Sequence, residues 1–327
     1  MKKSVFRVSA LGGGHGLSAT LSALRIIAAE HLTAIVTVAD DGGSSGRLRQ
    51  DMDVLPPGDL RMALAALCDD TEWGRTWAQV MQHRFRSREG VQGSLDDHAM
   101  GNLLIVALWE LIGDPVEGLR WAGALLGARG QVLPMSRQPL TMSGLVHPAA
   151  GEQDRQPAEP VRVDSQVELA RAGRLGRLSD VEIHPAQAQA CAEAVNAIEL
   201  SDWVVFGPGS WYTSVLPHLL LQDMRTALYE TEARRCIVMN LNAETDETAG
   251  MSAADHLRVL HHYAPQIRID RILADPGSVR EQDRGEFEEV AARLGAQVRY
   301  HEVRSASKPE VHDPLRLAIA LNEVFSG

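Results

Sequence analysis

Val8-Ser9-Ala10-Leu11-Gly12-Gly13-Gly14-His15-Gly16-Leu17 decides how this chain is read. An apolar run from Val5 to Leu11 ends in glycines at 12, 13, 14 and 16. Apolar residues then recur at Leu17, Leu21, Leu24 and Ile27, on one face of a helix. Strand, glycine turn, helix is the layout in which bare backbone N–H groups and a helix N-terminus receive a phosphate. The dinucleotide fingerprint G-x-G-x-x-G is not met, because glycines at 12 and 14 call for a third at 17, which is Leu. A tight strand-to-helix turn without a ligand is the plainer alternative.

Working outward, Thr33 to Val38 is crowded with β-branched residues, as in a strand buried on both faces of a parallel sheet. Residues 4–38 therefore predict a βαβ unit with a right-handed crossover. Its two loops then share the carboxyl edge of the sheet, where open α/β folds bind ligands. The second loop runs Ala39-Asp40-Asp41-Gly42-Gly43-Ser44-Ser45-Gly46-Arg47. An acidic residue near Asp41 holds a ribose in dinucleotide folds. Here the glycines, Ser44, Ser45 and Arg47 read instead as a second anion-binding turn. Asp40 and Asp41 suit a Mg²⁺ beside a diphosphate, since hard cations take carboxylate and phosphate oxygens. The alternative is an Asx turn, in which the aspartates accept from backbone N–H groups.

Leu55-Pro56-Pro57-Gly58-Asp59-Leu60-Arg61 predicts a rigid turn opening a helix through Cys68, with Asp59 as N-cap. Arg61 then falls in the first turn, against the helix dipole, a local conflict of the kind that collects at functional sites. Helical patterns follow at 75–86, 99–112 and 115–126, so residues 59–127 read as a largely helical insertion on an α/β core. Trp73, Trp77 and Trp109 are expected in its core. In His98-Ala99-Met100-Gly101-Asn102-Leu103, Asn102 stands just before an apolar helix, to read a ligand or to cap the helix.

Strands are predicted at 131–135 and 140–146, and a long exposed loop over 147–160. Another strand follows at 181–184, then a helix buried through Ala188, Cys191, Val195 and Ile198. Trp203-Val204-Val205-Phe206 then runs into Gly207-Pro208-Gly209-Ser210, a second strand–glycine turn–helix junction facing the first. Strands at 237–240, 269–274 and 296–300 alternate with helices to the end, the first of them closing on Asn240. The whole of residues 1–327 reads as one α/β domain.

Bulk properties agree. A hydrophobic fraction of 45% and a charged fraction of 23% mark an ordinary globular chain, and 327 residues can bury a sizeable core. The net charge of −11 argues against nucleic-acid binding, which needs basic residues to displace counterions. Cys68, Cys191 and Cys236 lack metal-like spacing and suggest reduced thiols in a cytoplasmic protein. No apolar run is long enough for a membrane span.

These motifs, with Pro56-Pro57-Gly58-Asp59-Leu60-Arg61, Gly101-Asn102-Leu103-Leu104 and Asp255-His256-Leu257, resemble the CofD/YvcK family over nearly the whole chain, and within it the YvcK-like branch. The resemblance implies a Rossmann-like three-layer fold with a mainly parallel sheet, a helical insertion, and a nucleotide diphosphate at the carboxyl edge. On that reading Gly12, Gly13, Gly14, His15, Gly16, Gly207, Pro208, Gly209 and Ser210 line the phosphate, all but Pro208 offering a backbone N–H. Ser44, Ser45, Arg47, Arg61 and Asp41 surround it, and Asn102 and Asn240 read polar edges.

The YvcK-like branch implies a UDP-sugar-binding regulator of cell shape, wall synthesis and growth on gluconeogenic carbon. Protein partners in wall synthesis and a homodimer come with that resemblance. The CofD branch implies a Mg²⁺-dependent transferase moving a phospholactyl or phosphoenolpyruvyl group from a guanosine diphosphate donor to a deazaflavin. Asp59 would be its base or a second metal ligand, with Trp211 and Tyr212 as candidate aromatic surfaces. The chain departs from the family at His15, Met62, Leu241-Asn242-Ala243 and Ala274-Asp275.

Overall fold

The computed structural model describes residues 6–91, 93–148, 159–245 and 247–327. Part of the predicted first strand (Val5) and most of the predicted loop (149–158) lie outside them. β1 (Val8–Gly12), α1 (Gly14–Ile27) and β2 (Leu32–Val36) form the predicted βαβ unit. All five β1 residues are buried, as in a strand covered on both faces.

Five helices then precede β3 (Gln131–Pro134): α2 (Gly43–Met52), α3 (Pro57–Leu67), α4 (Glu72–Gln82), α5 (Met100–Ile112) and α6 (Pro115–Leu126). α5 and α6 lie close to where periodicity puts them. α4 stops at Gln82, and Arg84 pairs with Ala99 in an isolated β-bridge instead of continuing the helix. α2 is a correction: its Gly-Ser-Ser-Gly opening has little helix propensity and reads as a turn. Trp73 is another, being 57% exposed, whereas Trp109 is buried.

β4 (Thr141–Pro148), β5 (Val161–Val163) and β6 (Gly176–His184) make a small antiparallel sheet, with α7 (Gln166–Ala172) between β5 and β6. α8 (Ala192–Glu199) and β7 (Trp203–Phe206) follow, then a π-helical turn (Trp211–Val215), α9 (Pro217–Leu220) and α10 (Gln222–Glu230). β8 (Arg234–Val238), α11 (Ala253–Tyr263), β9 (Arg271–Ala274), α12 (Arg284–Arg293), β10 (Gln297–Tyr300) and α13 (Pro314–Ser326) complete the described chain.

The main sheet has seven parallel strands in the order β10-β9-β8-β7-β1-β2-β3, with helices against it in a three-layer arrangement. β1 and β7 are neighbours, paired from Val8 with Trp203 to Leu11 with Phe206. Both glycine loops therefore leave adjacent strands at one level of the carboxyl edge. Among the described residues no helix is long and apolar enough to cross a membrane.

Candidate functional site

The two glycine loops touch. A Cβ on Gly16 would overlap the Pro208 carbonyl, so only glycine allows this approach. Gly209 has φ +142°, a conformation that L side chains rarely adopt. The side-chain amide of Asn240, just past β8, pairs with the backbone of Gly209. The Gly209 N–H donates to Asn240 Oδ1 at 2.6 Å, and Asn240 Nδ2 donates to the Gly209 carbonyl at 2.9 Å. Asn240 thus spends its amide on holding the second loop. Beside both loops lies a cleft of about 270 Å³, lined by His15, Pro208, Ser210, Asn240, Glu310 and His312. His15 is exposed, while His312 is buried with its Nε2 unpartnered among the described residues.

The floor behind the first loop is acidic. Asp59 belongs to the first turn of α3 and is not its N-cap, which is Pro56. Its carboxylate reaches across to accept from the Gly14 N–H and lies against Gly13. Burial pushes this carboxyl up to about 7, and the Asp40 carboxylate adds to the rise. Asp40 is itself raised, mainly by burial, although the Gly42 N–H donates to its Oδ1 at 2.9 Å in the Asx turn weighed from sequence.

Other residues expected at the site are turned elsewhere. Both oxygens of Asp41 accept from the start of α7, from Gln166 N and Val167 N at 3.0 Å each. Ser44 and Ser45 are buried in α2. Ser45 Oγ accepts from the Gly58 N–H at 2.9 Å, and Ser44 Oγ meets His98 Nδ1 at 3.1 Å and accepts from Asn102 Nδ2 at 3.0 Å. Arg47 is exposed and donates to the Asp96 carbonyl at 2.7 Å. The cation whose charge Asp40 feels on this loop is Arg49, which sequence reasoning left without a role.

Arg61 lies beyond the first turn of α3, so its expected conflict with the dipole does not arise. It is only 4% exposed, and its Nε donates to Asn102 Oδ1 at 2.9 Å, with Gln82 accepting from Nη1. Burial and the nearby Arg84 lower its pKa to about 10. Asn102 sits inside α5, whose N-cap is Ala99, and it bridges Ser44 to Arg61 without capping. A buried network thus ties α2, α3 and α5 together behind the acidic floor.

Trp211 and Tyr212 are also corrections as aromatic surfaces, because they are 1% and 2% exposed. Trp211 stacks on the buried His256 with ring centroids 5.0 Å apart. Sequence reasoning missed Glu247 altogether. This buried carboxylate accepts from Tyr212 N and Thr213 Oγ1, each at 3.0 Å, at the opening of the π-helical turn. Thr37 was missed too, with its buried Oγ1 unpartnered among the described residues. Neither stands in a recognisable motif. Asp275, one of the departures, is explained by the fold: Oδ2 accepts from Val303 N at 3.0 Å and Arg304 N at 3.1 Å, joining the segment before α13 to β9.

The sequence profile of the family described as 2-phospho-L-lactate transferase CofD matches residues 8–311. A Mycobacterium tuberculosis protein whose assigned name, gluconeogenesis factor, is provisional is 45% identical over 318 residues, covering 97% of this chain and 90% of that protein. The gluconeogenesis factor of Halalkalibacterium halodurans is 36% identical over 273 residues, covering 84% of this chain and 78% of its own. A crystal structure of a UPF0052 family member from Bacillus halodurans superposes with a TM-score of 0.81 at 31% identity, covering 96% of this chain and 98% of that one.

Proposed function

The chain belongs to the CofD family, and from that premise we propose that it binds a UDP-sugar at the carboxyl edge as a regulatory protein. The observation that carries this reading is the contact between the two glycine loops at the ends of β1 and β7. It concentrates bare backbone beside an open cleft, as a diphosphate requires. Gly12, Gly13, Gly14, Gly16 and Gly207 shape the cradle, and His15 and Ser210 are its side-chain donors. Asn240 acts on the ligand through Gly209. Arg61, Ser44, Ser45 and Asn102 position the floor. The gluconeogenesis factor names of the relatives support a role in growth on gluconeogenic carbon. Cell shape, partners in wall synthesis, a cytoplasmic setting and a homodimer extend the same reading.

Mg²⁺ fits this floor in part. The Asp40 charge helps to raise Asp59, and a cation held by both would offset that repulsion. Asp41 has committed both oxygens to α7, and the described residues hold no group of three or more His, Cys, Asp or Glu arranged for a metal. Mg²⁺ commonly takes one or two carboxylates and completes its shell with phosphate oxygens and water. Asp40 and Asp59 would hold it in that way, supplying charge neutralisation beside the diphosphate.

The Asp59 carboxyl, titrating near neutrality, also favours a second reading, transfer chemistry at the same site. An acceptor hydroxyl oxygen would bond to the β-phosphorus as the bridging P–O bond breaks and nucleoside monophosphate leaves. Asp59 would take the hydroxyl proton. Calorimetric titration with UDP-N-acetylglucosamine and with GDP, each with and without Mg²⁺, separates the readings. Saturable binding of the UDP-sugar without product on long incubation is expected. Preference for GDP with a Mg²⁺ requirement would transfer the weight to the second reading, and binding of neither would overturn both.

A further inference from the structure

A cavity of about 750 Å³ lies between the small antiparallel sheet and α11, apart from the cleft at the glycine loops. Leu178, Met251 and Val259 give it an apolar wall, and Arg177, Arg258 and His262 stand on its rim. The arginines on this rim stand out in a chain of net charge −11. The two carboxylates that line it are already engaged. Asp255 closes the capping box of α11 and pairs with Arg258 at 2.8 Å, and Glu247 accepts from Tyr212 and Thr213. Arg177 is exposed on β6, and its side chain has neither a hydrogen bond nor an ion pair among the described residues.

We propose that this cavity binds an amphipathic anion, a small molecule joining a phosphate or carboxylate to an apolar body, with Arg177 holding the anion. The apolar wall and the rim call for those two parts in one ligand. Occupation is transmitted to the carboxyl edge along two connections. Glu247 is shared by the cavity wall and the π-helical turn that follows Gly207–Ser210. α7 has its N-terminus on Asp41, and Gly173 at its C-terminal end lines the cavity.

Phenyl phosphate is a suitable probe, with inorganic phosphate and benzyl alcohol as its separated halves. Titration of the full chain is expected to give saturable binding of phenyl phosphate at about 1 mM or tighter, and weaker binding of either half. Arg177→Gln, which removes no internal hydrogen bond, is expected to weaken binding at least about tenfold, the loss of one charged contact. Hydrogen exchange over residues 207–215 is expected to slow when the probe is bound. Absence of saturable binding, or equal binding by Arg177→Gln, would overturn the site. Displacement of the probe by UDP-N-acetylglucosamine, with no effect of Arg177→Gln, would do so as well, by placing the probe at the glycine loops. Binding that leaves exchange at 207–215 unchanged would overturn the transmission.

Discussion

Glu247 illustrates what a single residue contributes here. Burial raises its carboxyl from the usual range to about 7, against the donors from Tyr212 and Thr213 that favour the charged form. A raised carboxyl binds its proton more tightly when folded. The associated stability is fully present below the unfolded value of 4.5 and is lost as pH rises through about 7. Glu247→Gln removes that dependence. The melting temperature of the variant relative to the parent is therefore expected to improve between pH 5 and pH 8, by an order of a few degrees. A difference that stays constant over that range would show that Glu247 ionises freely. In sequence this residue is one acid among several in a polar stretch. Its burial comes from packing against a turn more than thirty residues earlier in the chain.

At the scale of elements, α2 and α7 are the least legible parts of the candidate site. α2 begins in glycines and serines that have turn chemistry, and it forms because Ser44 and Ser45 are bonded by α3 and α5. α7 is a seven-residue helix whose first N–H groups are met by Asp41, 125 and 126 residues distant, and by its own N-cap Ser165. A helix that short has little stability of its own. Asp41→Ala is expected to cost about 1–3 kcal/mol and to speed amide exchange in residues 166–172 with no ligand present. Unchanged exchange there, with loss of UDP-sugar binding only, would return Asp41 to the ligand.

Over the whole molecule the C-terminal helix closes the core. α13 buries Leu317, Leu321, Val324 and Phe325, and Phe325 stacks on Trp203 of β7 with centroids 4.7 Å apart. Each such side chain contributes about 1.5–3 kcal/mol on burial, against a total stability of about 5–15 kcal/mol. A chain ending before Pro314 is expected to lose cooperative thermal unfolding and to bind a hydrophobic dye. A sharp unfolding transition in the truncated chain would contradict this placement of the core.

The class of fold, the places of both glycine loops, and most of the long helices and parallel strands were legible in the order of residues alone. These follow from local signals, the periodicity of apolar residues and the conformational freedom of glycine, which a few neighbouring residues carry. The tertiary structure decided the direction of each polar side chain. Asp41 faces α7, Asn240 faces Gly209, Asn102 joins Ser44 to Arg61, and Asp59 reaches back to Gly14. Each of these residues finds its partner in a separate element. The partner follows from how those elements pack, and a motif of a few residues holds no record of that.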